Sequence, residues 1–425
     1  MTKFLLFFLL IAFKSHALEI VVDKGQESAQ PVIVVPFSDN SALAEISLAE
    51  VIASDLALSG KFRPLADNLL PSFPAAIDDV DFSNFKGLGA SFMIVGRVFK
   101  DSGSLKLTAE LLDVHKEQRI AKYSHSLANI TARHLRKAGH KISDLIYEKL
   151  TGKRGAFSTR LAYVSVRVSG GQKTYALEVS GVDGKDAAVA FKSPKSIFSP
   201  AWSPDGKKLS YVSLENDKTQ VWVLDLVSGQ RQKYADFPGN NSAPAWAPDG
   251  SALALSLSKD GNPEIYIIAQ GGALRRVTNN PAADTEPVWA PNASSLYFLS
   301  DRGGSPQIYQ LLLADGSVNK VSTFGSYNAS PDISVDGNNL ALLHKTDQGY
   351  QIAVQNLANQ TLNIVSNTFN DESPSFAPNG EMLVYATKDS GNGVLTVTDA
   401  KGTVHRVYSS AHKDVREPAW SPFLD

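Results

Sequence analysis

The feature that most constrains this chain is a repeat. Pro200-Ala-Trp-Ser-Pro-Asp-Gly206 returns, with substitutions, at Pro244, Pro287, Pro331, Pro374 and Pro418, at intervals of 44, 43, 44, 43 and 44 residues. Trp202, Trp246, Trp289, Ile333, Phe376 and Trp420 each follow two positions after the proline. A period in the low forties with aromatic and turn residues at fixed offsets is the pattern of a β-propeller, one four-stranded sheet per repeat. Helical repeats share that length, so the residues between the motifs decide. Leu209 and Tyr211, then Val221 and Val223, alternate with polar positions and give way to a turn at Ser228-Gly229. That is a period of two, where a helix needs three and four.

The first repeat is incomplete. Ala156 stands 44 residues before Pro200 and no proline or tryptophan follows at the expected offset, yet strand-like runs occupy 161–167, 174–179 and 187–191. The last copy, Glu417 to Pro422, is an inner strand with no sheet after it. The two halves are therefore expected to combine, giving six blades over 160–425 and no open edge around the circle. Burying one Trp removes roughly 200 Å² from water, about 5 kcal/mol gross at roughly 25 cal/mol per Å². The aromatics should thus hold neighbouring blades together, while proline and glycine set where each hairpin turns. The Pro331 copy carries Ile333 and Val335 in place of an aromatic and a second proline, which predicts the least stable blade.

Upstream, residues 1–17 read as a signal peptide. Lys3 precedes an apolar core from Phe4 to Phe13, too short to span a bilayer, and Ser15 and Ala17 are the small residues before a cut between Ala17 and Leu18. Cleavage there makes this an exported, periplasmic chain, and the absence of cysteine excludes a disulfide framework and a thiol nucleophile. The formal charge of -2 offers nothing to nucleic acid. Residues 18–30 form an N-terminal arm in which Leu18, Glu19, Ile20, Val21, Val22 and Asp23 alternate like a strand. The arm reads either as an edge strand of the following domain or as a mobile element able to add to a partner's sheet.

Residues 31–152 change texture. An apolar run at 32–37, a helical pattern at 44–58 stopped by Gly60, strands at 91–98, 105–114 and 119–127, and a helix over 130–150 stopped by Gly152 predict a compact α/β domain. Residues 153–159 are its linker to the ring. The fold class is thus an α/β N-terminal domain plus an all-β six-bladed β-propeller closed by the C-terminal strand.

Catalytic signatures are missing: there is no Gly-x-Ser-x-Gly elbow, no Gly-x4-Gly-Lys loop, and Gly87-Leu-Gly89 lacks a third glycine. His134 and His140, six apart on the long helix, have the wrong spacing for a shared ligand face and read as polar-face histidines. No metal or cofactor is implied. What remains is surface. The residues before the prolines, Ser199, Ala243, Glu286, Ser330, Ser373 and Glu417, must surround one mouth of the channel, and with Thr285, Asp371, Glu372 and Arg416 they give it an acidic rim. Propellers bind through the ends of the channel. A rival use of Glu286, Glu372 and Glu417 is hydrolysis or binding of glycan.

Taken in order, several segments resemble the TolB family of the Gram-negative Tol-Pal envelope system. They are Leu18-Glu-Ile-Val-Val-Asp23, Pro31 to Phe37, Ser59-Gly60-Lys61-Phe62, Arg136-Lys-Ala-Gly-His140, Glu148-Lys-Leu-Thr-Gly152, Gly155-Ala-Phe157, the heptapeptide at Pro200, Thr285-Glu-Pro287 and Pro418-Ala-Trp-Ser-Pro422. The resemblance implies a non-enzymatic adaptor that supports outer-membrane invagination at cell division and outer-membrane integrity. It implies binding of the lipoprotein Pal at Ala243, Thr285 and Glu286, to which the rim read from the repeats adds Glu372 and Glu417, and of TolA at Leu18 to Asp23. TolQ and TolR complete the wider complex, so contact with membranes runs through partners. Asn240 stands where the family can carry histidine. The family also implies a switch in which Pal binding decides whether the arm is docked or free.

Overall fold

The computed structural model describes residues 20–21, 29–39, 46–101, 104–127, 131–408 and 414–424. The α/β domain is built on β2 (Gln30–Val34), which lies parallel to β4 (Phe62–Pro64) and β5 (Phe92–Asp101). Its run is continuously apolar because both faces are covered: Val32 and Val34 enter one core cluster, Ile33 and Val35 another. β5 continues antiparallel into β6 (Ser104–Asp113) and β7 (Gln118–Leu127), and the short β3 (Ser38–Asp39) pairs with β5.

Helix α1 (Leu48–Leu58) starts where the Ser47 hydroxyl accepts from the Glu50 amide at 3.2 Å, and α3 (Ala132–Thr151) starts at Thr131 and ends at left-handed Gly152, φ 76°. α1 and α3 cover the Val32 face. Phe85 of α2 (Phe82–Lys86) joins Leu70 and Ile33 on the other. The linker is tied down. Asp144 of α3 accepts from the Phe157 and Ser158 amides at 2.6 and 3.2 Å, and Phe157 is buried beside Tyr147.

Six antiparallel sheets follow in a ring. The first takes its inner strand from the C-terminus: Asp414–Trp420 pairs with Arg160–Ser169, placing Trp420 opposite Leu161 and Ala419 opposite Ala162. Trp420 and Tyr163 share one core cluster, as the closure read from the repeats requires. Two of the tryptophans bridge seams between blades, and a third ties the closing strand to the linker. Trp202 Nε1 donates to the Ala419 carbonyl at 3.0 Å, Trp289 Nε1 to the Ala245 carbonyl at 3.1 Å, and Trp420 Nε1 to Thr159 Oγ1 at 2.7 Å.

The α/β domain sits against the end of the ring that carries the first and third turns of each blade. Asn379 in the first turn of blade six donates to the Arg154 carbonyl at 3.1 Å, and Lys61 pairs with Glu381 at 2.6 Å. In the third turn of blade one, Asp183 meets Arg136 at 3.1 Å. Among the described residues, the opposite end, where the inner strands begin, has none of these contacts.

Candidate functional site

Each inner strand breaks register at the residue before its proline, for instance between Thr285 and Val288 and between Ser242 and Ala245. At these bulges Ser199, Ala243, Glu286, Ser330, Ser373 and Glu417 adopt φ of 50, 49, 52, 48, 53 and 50°. A side chain in the left-handed region costs on the order of 1–2 kcal/mol per residue. The following proline has no N–H, so the interrupted ladder leaves no orphan donor there. Six repetitions make a channel of about 820 Å³ lined by these residues, their prolines and the neighbouring tryptophans. All six lie together as the repeat predicts.

The carboxylates are used differently from a free acidic rim. Glu286 Oε2 accepts from the Ser330 amide of the next blade at 2.7 Å, and Glu417 Oε2 accepts from the Ser199 amide. Asp332 Oδ2 accepts from the Phe376 amide at 2.6 Å, tying blade five to blade six. Burial pushes Glu286 up, Asp332 up to about 7, and Glu417 up to about 7 with added repulsion from Glu372 and Glu286. Glu372 is exposed and Thr285 half-buried, while Asp371 is turned inward, 3% exposed and bonded to Thr368 Oγ1. Exposed Asn240 donates its amide to Ser258 Oγ at 2.8 Å. Asp332 was legible only as an acid in a column otherwise filled by Ala201, Ala245, Val288, Ser375 and Ala419. Among the described residues, no group of three or more His, Asp or Glu side chains is placed to hold a metal ion.

One expectation is overturned in the seam between the domains. His140 is not a polar-face histidine: it is 6% exposed, with Nδ1 2.8 Å from Asp55 Oδ2 and Nε2 3.4 Å from Asp183 Oδ2. Burial alone would lower its pKa, but the two carboxylates raise it to about 10, so it is an imidazolium at neutral pH. The helix spacing had placed His140 against solvent, but α1 through Asp55 and blade one through Asp183 cover it. His134 does face solvent and bonds Thr131 Oγ1 at 2.8 Å. Beside His140, Arg406 is 2% exposed and donates from Nη2 to the Ser54 carbonyl at 2.8 Å. These side chains border a cavity of about 450 Å³ between α1, α3 and blades one and six.

The arm meets the ring next to this seam. β1 (Ile20–Val21) pairs antiparallel with the outer strand of blade six, Ile20 opposite Arg406 and Val21 opposite His405. Of the two expectations, the edge strand holds for this backbone, but its sheet is the last blade rather than the domain that follows in sequence. Leu18, Glu19, Val22 and Asp23, like the cleavage site at Ala17 and Leu18, lie outside the described residues.

Six closed sheets, an open proline-lined channel at one end and an α/β domain fastened to the other define the class: a two-domain, channelled β-propeller protein. The family model described as the TolB amino-terminal domain matches residues 18–120, and the one described as the TolB beta propeller domain matches 147–424. The chain belongs to the TolB family. It is 43% identical over 412 residues to the Tol-Pal system protein TolB of Hydrogenovibrio crunogenus, covering 96% of this chain and 94% of that one. It is 44% identical over 408 residues to the namesake of Nitrosococcus oceani, covering 95% and 93%. The crystal structure of TolB from Acinetobacter baumannii superposes with a TM-score of 0.87 at 35% identity, over 96% of this chain and all of that one. Among the described residues, no helix is long and apolar enough to cross a membrane.

Proposed function

We propose that this chain is a non-enzymatic periplasmic adaptor of the Tol-Pal system that receives the lipoprotein Pal at the channel mouth and TolA on the N-terminal arm. The observation that carries the reading is the circle of six left-handed residues, each followed by proline, at the end of the ring away from the α/β domain. Ala243, Thr285 and Glu372 supply the accessible contacts. Glu286 and Glu417 keep the mouth in shape, because each holds the backbone of the next blade. That use of two carboxylates as backbone acceptors favours a scaffold over glycan hydrolysis. Pairing of Ile20 and Val21 with blade six is the docked form of the arm, and TolA takes the segment when it is free. TolQ and TolR are reached through TolA.

Replacing Ala243 by Arg fills the mouth without touching a seam. Capture of the purified soluble domain of Pal should fall at least tenfold, with the melting profile retained. Removal of residues 18–23 should abolish TolA capture instead. An unchanged dissociation constant for Pal in Ala243→Arg refutes the mouth as the footprint.

A further inference from the structure

The face that opens the channel carries a second feature on blades five and six. Phe324 and Tyr327 lie in the connection entering the inner strand of blade five (Asn328–Ile333), Tyr350 begins that blade's third strand (Tyr350–Asn356), and Phe369 lies in the connection entering blade six. Phe324, Tyr350 and Phe369 are 39, 38 and 44% exposed. The Tyr327 and Tyr350 rings stand edge to face with centroids 5.3 Å apart. Isolated apolar side chains on a surface are ordinary, but aromatics gathered on the adjoining loops of one blade pair are not.

The loops that carry them are tied. Tyr350 donates its amide to the Phe369 carbonyl at 3.0 Å, and the Asp371 amide returns to the Tyr350 carbonyl at 3.1 Å. Asn328 Nδ2 donates to the Phe324 carbonyl at 2.7 Å and to Gln307 Oε1 at 2.8 Å, while its Oδ1 lies 2.8 Å from His344 Nδ1. Gly349, at φ +146°, leaves room for the Phe369 carbonyl 2.4 Å from where a Cβ would be. The backbones that carry the rings are therefore fixed before anything binds, and the Tyr327–Tyr350 pair fixes two of the rings as well, so a partner has little chain to order.

Charge selects the partner. The surrounding acids are Glu286 and Glu372 at the mouth and Asp347 in the hairpin that leads to Tyr350, with Lys345 of the same hairpin as the opposing cation. Burial raises the Tyr327 phenol, and the nearby Glu286 carboxylate adds to the rise. Phenyl and phenol faces framed by net negative charge fit a Lys or Arg side chain flanked by apolar residues.

We propose that Phe324, Tyr327, Tyr350 and Phe369 form a preorganised aromatic anchor on blades five and six for a basic loop of the protein seated at the channel mouth. This rests on the mouth reading and extends the footprint outward from the prolines on one side only. The anchor sets how long the partner stays, whereas Ala243 sets whether it enters.

The test is surface binding of the purified soluble domain of Pal to the full mature chain, with rates recorded at low and high salt. Tyr350→Ser with Phe369→Ser should raise the dissociation rate about tenfold to thirtyfold, and Tyr350→Phe should restore it. At exposed Ser326, between Phe324 and Tyr327, Ser326→Lys should weaken binding and Ser326→Glu strengthen it, neither removing any packing. Wild-type rates in both Tyr350→Ser/Phe369→Ser and Ser326→Lys, while Ala243→Arg still blocks capture, overturn the anchor and leave the mouth standing. No binding by the wild-type chain overturns both.

Discussion

Replacing His140 by Ala tests whether charge fastens the two domains. The imidazolium lies 2.8 Å from Asp55 and 3.4 Å from Asp183, so its loss leaves two carboxylates in the seam. Removing one partner of a buried pair costs about 3–5 kcal/mol. Asp183 keeps Arg136 at 3.1 Å, which places the cost at the lower end, about 3 kcal/mol. For a cooperative unit of roughly 150–250 residues that lowers Tm by about 6–12 °C. The dependence on pH has a definite sign. The folded pKa is about 10 against 6.5 for the free side chain, so the stabilisation is full below about pH 6.5 and is lost as pH rises through about 10. Calorimetric melts from about pH 6 to pH 10.5 should therefore fall for the wild type and flatten for His140→Ala across that window. Adding Asp183→Asn closes a double-mutant cycle, expected to show coupling above about 1 kcal/mol. A His140→Ala protein that melts within about 1 °C of the wild type, with the same alkaline slope, refutes the charge clamp.

Two further outcomes follow from the ring. Trp202→Ala empties a position 8% exposed in the seam of blades one and two and leaves the Ala419 carbonyl without its donor, so stability to guanidinium should drop by about 3–5 kcal/mol; a loss below about 1 kcal/mol contradicts the seam role. Glu417 holds its proton up to about pH 7 in the folded chain against 4.5 when free, so the fold loses stability as pH rises from 4.5 to 7. Glu417→Gln keeps an oxygen for the Ser199 amide and should remove about 1 kcal/mol of that slope, read by urea unfolding at pH 5 and pH 8; an unaltered slope argues against it.

Much of this architecture was legible because its causes are local or periodic. The inner-strand motif repeats, alternation marks the strands between copies, and a terminal half-repeat has nowhere to pair except with the incomplete first sheet. Helix α3 was recognisable from its apolar face and Gly152, although its start moves to Thr131, whose hydroxyl caps the first turn. Phe62–Pro64 escaped notice because a three-residue parallel strand borrows its stability from the neighbouring β2. The mouth's position was readable, but the use of its acids was not. Whether Glu286 reaches a partner or the Ser330 amide depends on how far one blade leans on the next.

Composition and periodicity by themselves determined the six sheets, their closure and which residues crowd the channel, since a spacing in the chain becomes a spacing around the circle. Only tertiary structure decided what lies in the seam. His140, Asp55, Asp183 and Arg406 are remote in sequence and share no pattern. They are brought together by α1 packing on α3 and by that domain docking on two blades, and the arm's return to the last blade is likewise a pairing between distant segments. Contacts of that kind leave no periodic trace, because each is made once.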